Sequence, residues 1–155
     1  MLQLCYASTY INNDDNLIED IRNILITARN FNQAHQINGV LYYAEGYFFQ
    51  CLEGEKESIE NLFKNITKDL RHTNVHRFED QIIEQTNFKD WSIKYVQKNS
   101  DVKKYFSTIG IEKFNPHILE KNQLKDILKI LYSANENSPQ LSHTGYLQRG
   151  YFPYL

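Results

Sequence analysis

Cysteine is scarce: Cys5 and Cys51 are the only two in 155 residues. A disulfide scaffold is therefore excluded, and reduced thiols in the cytoplasm are expected. Methionine occurs once, at position 1, and tryptophan once, at position 91. The six glycines form neither GxGxxG nor a P-loop, so no phosphate cradle of those types exists. There is no run of eighteen apolar residues to span a membrane. Met1-Leu2-Gln3-Leu4-Cys5 lacks the basic and apolar regions of a signal peptide. Neither sign of charge dominates: 17 basic and 19 acidic residues leave a net −2, which argues against nucleic acid as a direct partner. His72 and His76 have no further ligands at zinc spacing, and no serine sits in a nucleophile elbow, so no metal site is expected.

What the chain does have is one domain's worth of residues and many aromatic rings. A globule of this length buries about 70% of its unfolded surface. Eleven Tyr, nine Phe and one Trp make 14% of the chain. Most such rings are core and surface filler, but they also suit a planar ligand.

Residues 2–8 alternate at period two and predict a strand, with Leu2, Leu4, Tyr6 and Ser8 on one face and Gln3, Cys5 and Ala7 on the other. Asn12 to Asn16 form a turn and N-cap cluster. The next stripe, Leu17, Ile21, Ile24, Leu25, Ala28 and Phe31, is helical, and Asn32 falls on it. Residues 37–44 and 47–52 read as strands joined at Glu45-Gly46. Phe48, Gln50 and Leu52 face one way; Phe49, Cys51 and Glu53 face the other. A second helical stripe comprises Ile59, Leu62, Phe63, Ile66 and Leu70. Residues 75–84 make a weaker strand and 91–96 a cleaner one. The order βαββαββ predicts an α+β sandwich of ferredoxin-like type, two helices covering one face of the sheet.

Short helices are expected over 101–109 and 123–134, either side of the Asn115-Pro116 break. Their stripes, Val102, Phe106 and Ile109, then Leu124, Ile127, Leu128 and Leu131, suit the sheet face to which Cys5, Phe49 and Cys51 point. A tail follows with Tyr146, Tyr151, Phe152 and Tyr154, either a docking patch or an inert terminus. The division is 1–97 for the sheet domain and 98–155 for the extension.

The anomaly is polarity on inward faces. Tyr6, Ser8, Gln50 and Asn32 should all point into the helix-covered side, where each unpaired amide would cost about 1–3 kcal/mol. One such residue is an ordinary satisfied core polar group. Four converging would be satisfied together by something polar and flat between the helices.

The strings Cys5-Tyr6-Ala7-Ser8, Ile24 to Asn32, Ile37 to Tyr43, Gly46 to Gly54, Asp69-Leu70-Arg71-His72 and Phe88 to Ser92 resemble the BLUF family of blue-light sensors. The resemblance covers residues 2–97 in consistent spacing. It implies bound FAD (FMN or riboflavin share the ring) with Ile24 and Ile66 on the two ring faces. It implies Asn32 on the ring's N3–H and C4 carbonyl edge, and Arg71 and His72 near the C2 carbonyl. It further implies Asp69 close by, supporting contacts from Arg29 and Ser8, and Phe48 in the lining. On their residues alone, Ile24 and Ile66 read as core packing and Arg71-His72 as a basic helix end.

The photochemistry implied is electron transfer from Tyr6 to excited flavin with a proton moving through Gln50. The rearranged Gln50 then bonds the flavin C4 carbonyl more strongly and shifts the spectrum to the red. An amide suits this because donor and acceptor share one plane. Trp91 resembles the family's signal-relaying tryptophan, and equally reads as a core anchor. One departure stands out: where the family often has Trp-Ser-Met, this chain has Trp91-Ser92-Ile93. A β-branched residue lacks the flexible thioether that accommodates a moving amide.

The leading expectation is thus a cytoplasmic receptor, not an enzyme. It would be a monomer or weak homo-oligomer acting through a downstream protein such as a transcriptional regulator. A flavin- or heme-binding redox enzyme, and a light-independent ferredoxin-like regulatory or ligand-binding module, are the other readings.

Overall fold

A computed structural model describes residues 1–11, 14–95 and 101–136. Part of the Asn12–Asn16 cluster, Val96 and the tyrosine-rich tail lie outside the described residues. In chain order come β1 (Leu2–Tyr10), α1 (Asp14–Ala34), β2 (Asn38–Ala44), β3 (Tyr47–Gly54), α2 (Lys56–Ile66), β4 (His72–Arg77), β5 (Gln81–Ile82) and β6 (Trp91–Tyr95). Then follow α3 (Asp101–Thr108), a 3-10 turn (Pro116–Ile118) and α4 (Lys121–Glu136).

The sheet runs β4-β1-β3-β2-β6, with β5 also on β1. All pairings are antiparallel except β2 with β6. The tight β2–β3 turn places Glu45 at φ 49° and Gly46 at φ 84°. Two positive φ values are what a hairpin needs to match strand twist. Gly39 has no room for a side chain: a Cβ there would lie 2.1 Å from the Cys51 carbonyl oxygen.

The parities read from sequence hold. On one face Leu2, Leu4, Tyr6, Ile37, Leu52 and Ile59 form a core cluster under α2, and Tyr10, Leu17, Ile21, Leu41, Tyr43 and Phe48 form another under α1. The opposite face packs Cys5, Ala7, Phe49 and Cys51 against Val102, Phe106, Leu124, Ile127, Leu128 and Leu131. The C-terminal helices therefore cover the back of the sheet, as their stripes predict. At about 25 cal/mol per Å² of apolar area removed from water, this back layer contributes as a core does, not as a loose appendage. Among the described residues no helix is long and apolar enough to cross a membrane.

Beyond shifts of one or two residues at element ends, two boundaries differ from the sequence expectation. The strand expected over residues 75–84 is two strands: β4 begins at His72 and ends at Arg77, and β5 is a separate pair of residues. Between Ala7↔His76 and Thr9↔Thr73 the register slips by one residue, a bulge with Asn74 at φ 51°. The bulge turns His72 and Val75, three apart, toward the same helix-covered face. The stripe of the second helix also stops early. α2 ends at Ile66, and Leu70 lies beyond it, 86% exposed.

Candidate functional site

β1 and β3 are antiparallel partners with Tyr6 opposite Gln50 and Ser8 opposite Phe48. Pairing plus alternation delivers all four side chains to the helix-covered face. The Tyr6 hydroxyl donates to Gln50 Oε1 at 2.5 Å, with both residues buried. Burial, and then the negative charge of Asp69, push the Tyr6 phenol far above the ordinary tyrosine range. It remains a protonated donor at any working pH.

His72 enters from β4. Its Nε2 lies 2.8 Å from the Ile66 carbonyl and its Nδ1 2.7 Å from Ser8 Oγ. A carbonyl only accepts, so Nε2 carries the proton; in the neutral ring Nδ1 then accepts from the Ser8 hydroxyl. The imidazole thereby closes the C-terminal end of α2, whose last carbonyls have no partner within the helix. It also faces the Tyr6 ring at 6.2 Å and the Phe48 ring at 6.5 Å.

Arg71, one residue earlier, binds both oxygens of Asp69, with Nε 2.8 Å from Oδ1, and its backbone N–H donates to the same Oδ1 at 2.9 Å. The guanidinium hydrogen bonds hold the Asp69 carboxyl below the ordinary aspartate range and raise Arg71 in return. Arg71 Nη1 also reaches the Asp20 carbonyl at 3.4 Å, which ties this turn to α1.

α1 carries Ile24, Asn32 and Arg29, the last half-buried. Asn32 is 1% exposed, and its carbonyl accepts the Ile37 N–H at 2.8 Å. Ile24 packs on the cluster containing Phe48, while Ile66 packs on the cluster containing Tyr6. The apolar layer is thus divided in two between α1 and α2, and Tyr6, Ser8, Gln50 and His72 lie on the sheet beneath. Both helices pack onto the sheet, and Phe31 of α1 also reaches the cluster under α2. Half-buried isoleucines on both sides and donors and acceptors at the rim suit a flat heteroaromatic ring with polar edges.

Contacts therefore join Tyr6, Gln50, Ser8, His72, Phe48 and Ile66 into one group, with Asp69 and Arg71 at its margin. Trp91 is placed by its backbone, opposite Gly39 in the β2–β6 ladder, and its side chain lies outside the described residues. Two features escape the sequence reading. The Tyr10 hydroxyl donates to Asp20 Oδ2 at 2.8 Å; the signal was there, since Tyr10 continues the parity of Tyr6 and Ser8. On the other face, Gln3 Nε2 donates to Glu53 Oε1 at 2.7 Å and to the Tyr132 hydroxyl at 2.8 Å. Among the described residues no cluster of three or more His, Cys, Asp or Glu could hold a metal.

The family model described as "BLUF: Sensors of blue-light using FAD" matches residues 1–94. The solved structure of BlsA in its photo-activated state superposes with a TM-score of 0.79 at 42% identity, covering 90% of this chain and 97% of that one. The blue light- and temperature-regulated antirepressor BluF of Escherichia coli is 31% identical over 62 residues, 40% of this chain and 15% of that protein. The photoactivated adenylate cyclase subunit beta of Euglena gracilis is 41% identical over 56 residues, 36% of this chain. The match spans only 6% of that cyclase subunit.

Proposed function

The chain belongs to the BLUF family and is a blue-light sensing flavoprotein that uses FAD, and we propose that its switch is the Tyr6–Gln50 pair. The observation that carries this is the buried 2.5 Å bond from the Tyr6 hydroxyl to Gln50 Oε1, inside the divided apolar layer. Bound FAD supplies blue-light absorption and an electron acceptor. Ile24 and Ile66 would flank its ring, Asn32, Ser8, Arg29, Arg71 and His72 would meet its polar edges, and Phe48 would close one end. Asp69 fixes Arg71 there.

Tyr6 would donate the electron to the bound flavin, and its hydroxyl already directs its proton along the bond from Oη toward Gln50 Oε1. Gln50 receives the perturbation at its carbonyl end. An amide that turns, or moves its proton, exchanges an acceptor for a donor at the same point in space. A carboxylate at this position would have only acceptors to offer. Burial excludes water, so a new hydrogen-bond pattern persists instead of being exchanged with solvent.

The output is a change in protein–protein contacts rather than catalysis, with a regulatory protein as partner and the C-terminal helices as the responding element. The likeness to BlsA over 90% of this chain supports a light sensor of that kind, and the name of the antirepressor BluF supports regulation through another protein.

The test is illumination of the purified protein. A yellow protein with a reversible red shift under blue light is expected, and Gln50→Leu should bind flavin without shifting. Normal photocycling by the leucine variant would show that the switch lies elsewhere.

A further inference from the structure

Two polar cross-strand pairs share the β1–β3 ladder. Tyr6 opposes Gln50, and three pairs along, Gln3 opposes Glu53. The odd separation puts them on opposite faces, the first toward α1 and α2, the second toward α4. Glu53 is fully buried. Its Oε2 accepts the backbone N–H groups of Asn87 at 2.6 Å and Phe88 at 3.0 Å, and its Oε1 accepts from Asn87 Nδ2 at 2.9 Å and Gln3 Nε2 at 2.7 Å. The Tyr132 hydroxyl, from α4, meets Gln3 Nε2 at 2.8 Å and Glu53 Oε1 at 3.5 Å. Its ring lies edge-on to Phe88, with centroids 4.7 Å apart.

A buried carboxylate needs this many donors merely to be tolerated. What the structure adds is where they come from: β1, the segment entering β6, and the C-terminal helix. We propose that the Gln3–Glu53–Tyr132 cluster is the junction at which the state of the Tyr6–Gln50 pair is passed to α4, with Tyr132 as the positioning residue. The proposal rests on the reading of Tyr6–Gln50 as the switch.

β1 and β3 are covered on both faces, so neither strand twists or slides without moving both of its polar pairs. Close-packed layers respond to such strain by shifting between discrete arrangements rather than deforming smoothly. The apolar back face tolerates small displacements, because van der Waals contact is not directional. A hydroxyl held to an amide and a carboxylate is directional, so it registers a shift first. Glu53 also fixes Asn87 and Phe88, a few residues before Trp91. A displacement arriving along β6 therefore ends at the same carboxylate.

Tyr132→Phe removes the hydroxyl and keeps the ring on Phe88. Amide exchange over residues 121–133 is measured in the dark and under blue light, with the flavin spectrum recorded on the same samples. In the wild type, light should change α4 exchange. In the variant the red shift should be retained, dark-state protection of α4 should stay within about tenfold of wild type, and the light-minus-dark change in α4 should vanish. Gln3→Met, which removes the bridging amide at similar volume, should behave alike and decides the matter if the phenylalanine variant does not fold. A full light-minus-dark change in either variant overturns the proposal. So does a wild type whose spectrum shifts while α4 exchange does not. A wild type with no spectral shift overturns the switch reading itself, and the junction with it.

Discussion

Removing one partner of the Tyr6–Gln50 bond should cost more than removing both. Both residues are nearly inaccessible, 3% and 4% exposed. Gln50→Leu leaves the Tyr6 hydroxyl without its acceptor, and an orphaned buried donor costs about 1–3 kcal/mol. Tyr6→Phe leaves Gln50 Oε1 without its donor, at a similar cost. The double variant orphans neither group and replaces a bonded polar pair by two apolar side chains, which is close to neutral. The expected coupling is therefore about 2–6 kcal/mol, and the double variant should exceed each single in stability by about 1–3 kcal/mol. For a chain of this size that is a difference of about 2–12 °C in Tm. Urea unfolding of the four proteins measures it, each saturated with FAD and repeated at lower FAD so that ligand linkage is separated from the side-chain effect. The light assay runs in parallel: all three variants should lack the reversible shift, and flavin fluorescence in Tyr6→Phe should lengthen in lifetime. Strict additivity of the two substitutions would refute the reasoning, because it would mean that the bond is not held in the folded protein. A wild-type photochemical yield in Tyr6→Phe would move the donor role to another residue, Trp91 first.

Two further outcomes follow from the back face of the sheet. Cys5 and Cys51 are direct partners in the β1–β3 ladder, both buried, and burial with the neighbouring Cys5 pushes the Cys51 thiol up, so neither should react with a thiol reagent until the protein unfolds; rapid labelling of both in the native dark state would contradict this placement. His117 Nε2 lies 3.2 Å from Thr9 Oγ1 with its ring against Tyr47, and burial, with His76 nearby, holds its pKa below 6.5. The folded state then binds fewer protons than the unfolded one, so this stabilisation is full above pH 6.5 and lost as pH falls through the lower folded value; exchange around the 3-10 turn should accelerate as the pH falls below about 6.5, and a His117→Gln variant with the same acceleration would sink the assignment.

The placement of most candidate site residues is legible because they lie on strands. Period-two alternation assigns Tyr6 and Ser8 to one face and Cys5 to the other without knowledge of any partner, and the same holds for Gln50 against Cys51. Where that period breaks, the reading broke with it. The HTNVHR run of β4 carries a residue in the left-handed region at Asn74, so a strict alternation could not start it at His72. The end of α2 was misplaced for a different reason. Leu70 continues the apolar spacing from Ile66, yet the Asp69 carboxylate binds the Arg71 N–H and side chain, and His72 takes the Ile66 carbonyl. Local side-chain bonds compete with helix continuation, and hydrophobic periodicity does not see them. Glu53 was placed on the correct face from sequence, but its partners lie 50 residues earlier and 34, 35 and 79 residues later in the chain.

The position of the proposed switch within the sheet bears on where a signal leaves. Tyr6 and Gln50 lie on β1 and β3, both flanked by other strands, not on the edges β4 and β6. An edge strand could respond to light by peeling away, exposing its backbone to a partner. An interior strand cannot, because its backbone groups are bonded on both sides and any movement must be shared with its neighbours. A change at Gln50 has two exits: sideways across the ladder, through β2 to β6, or through the sheet to the layer behind. Every side chain of β3 from Phe48 to Glu53 is buried, so the second exit is as tightly packed as the first. Both exits meet the same carboxylate, since Glu53 binds Phe88 N–H ahead of β6 and lies beside Tyr132 on α4. The coupling available to such a device is about 1–3 kcal/mol, enough to shift a docking equilibrium roughly 5- to 150-fold and far too little to unfold the domain. Light should therefore alter how firmly α4 sits on the sheet while leaving the sheet itself intact.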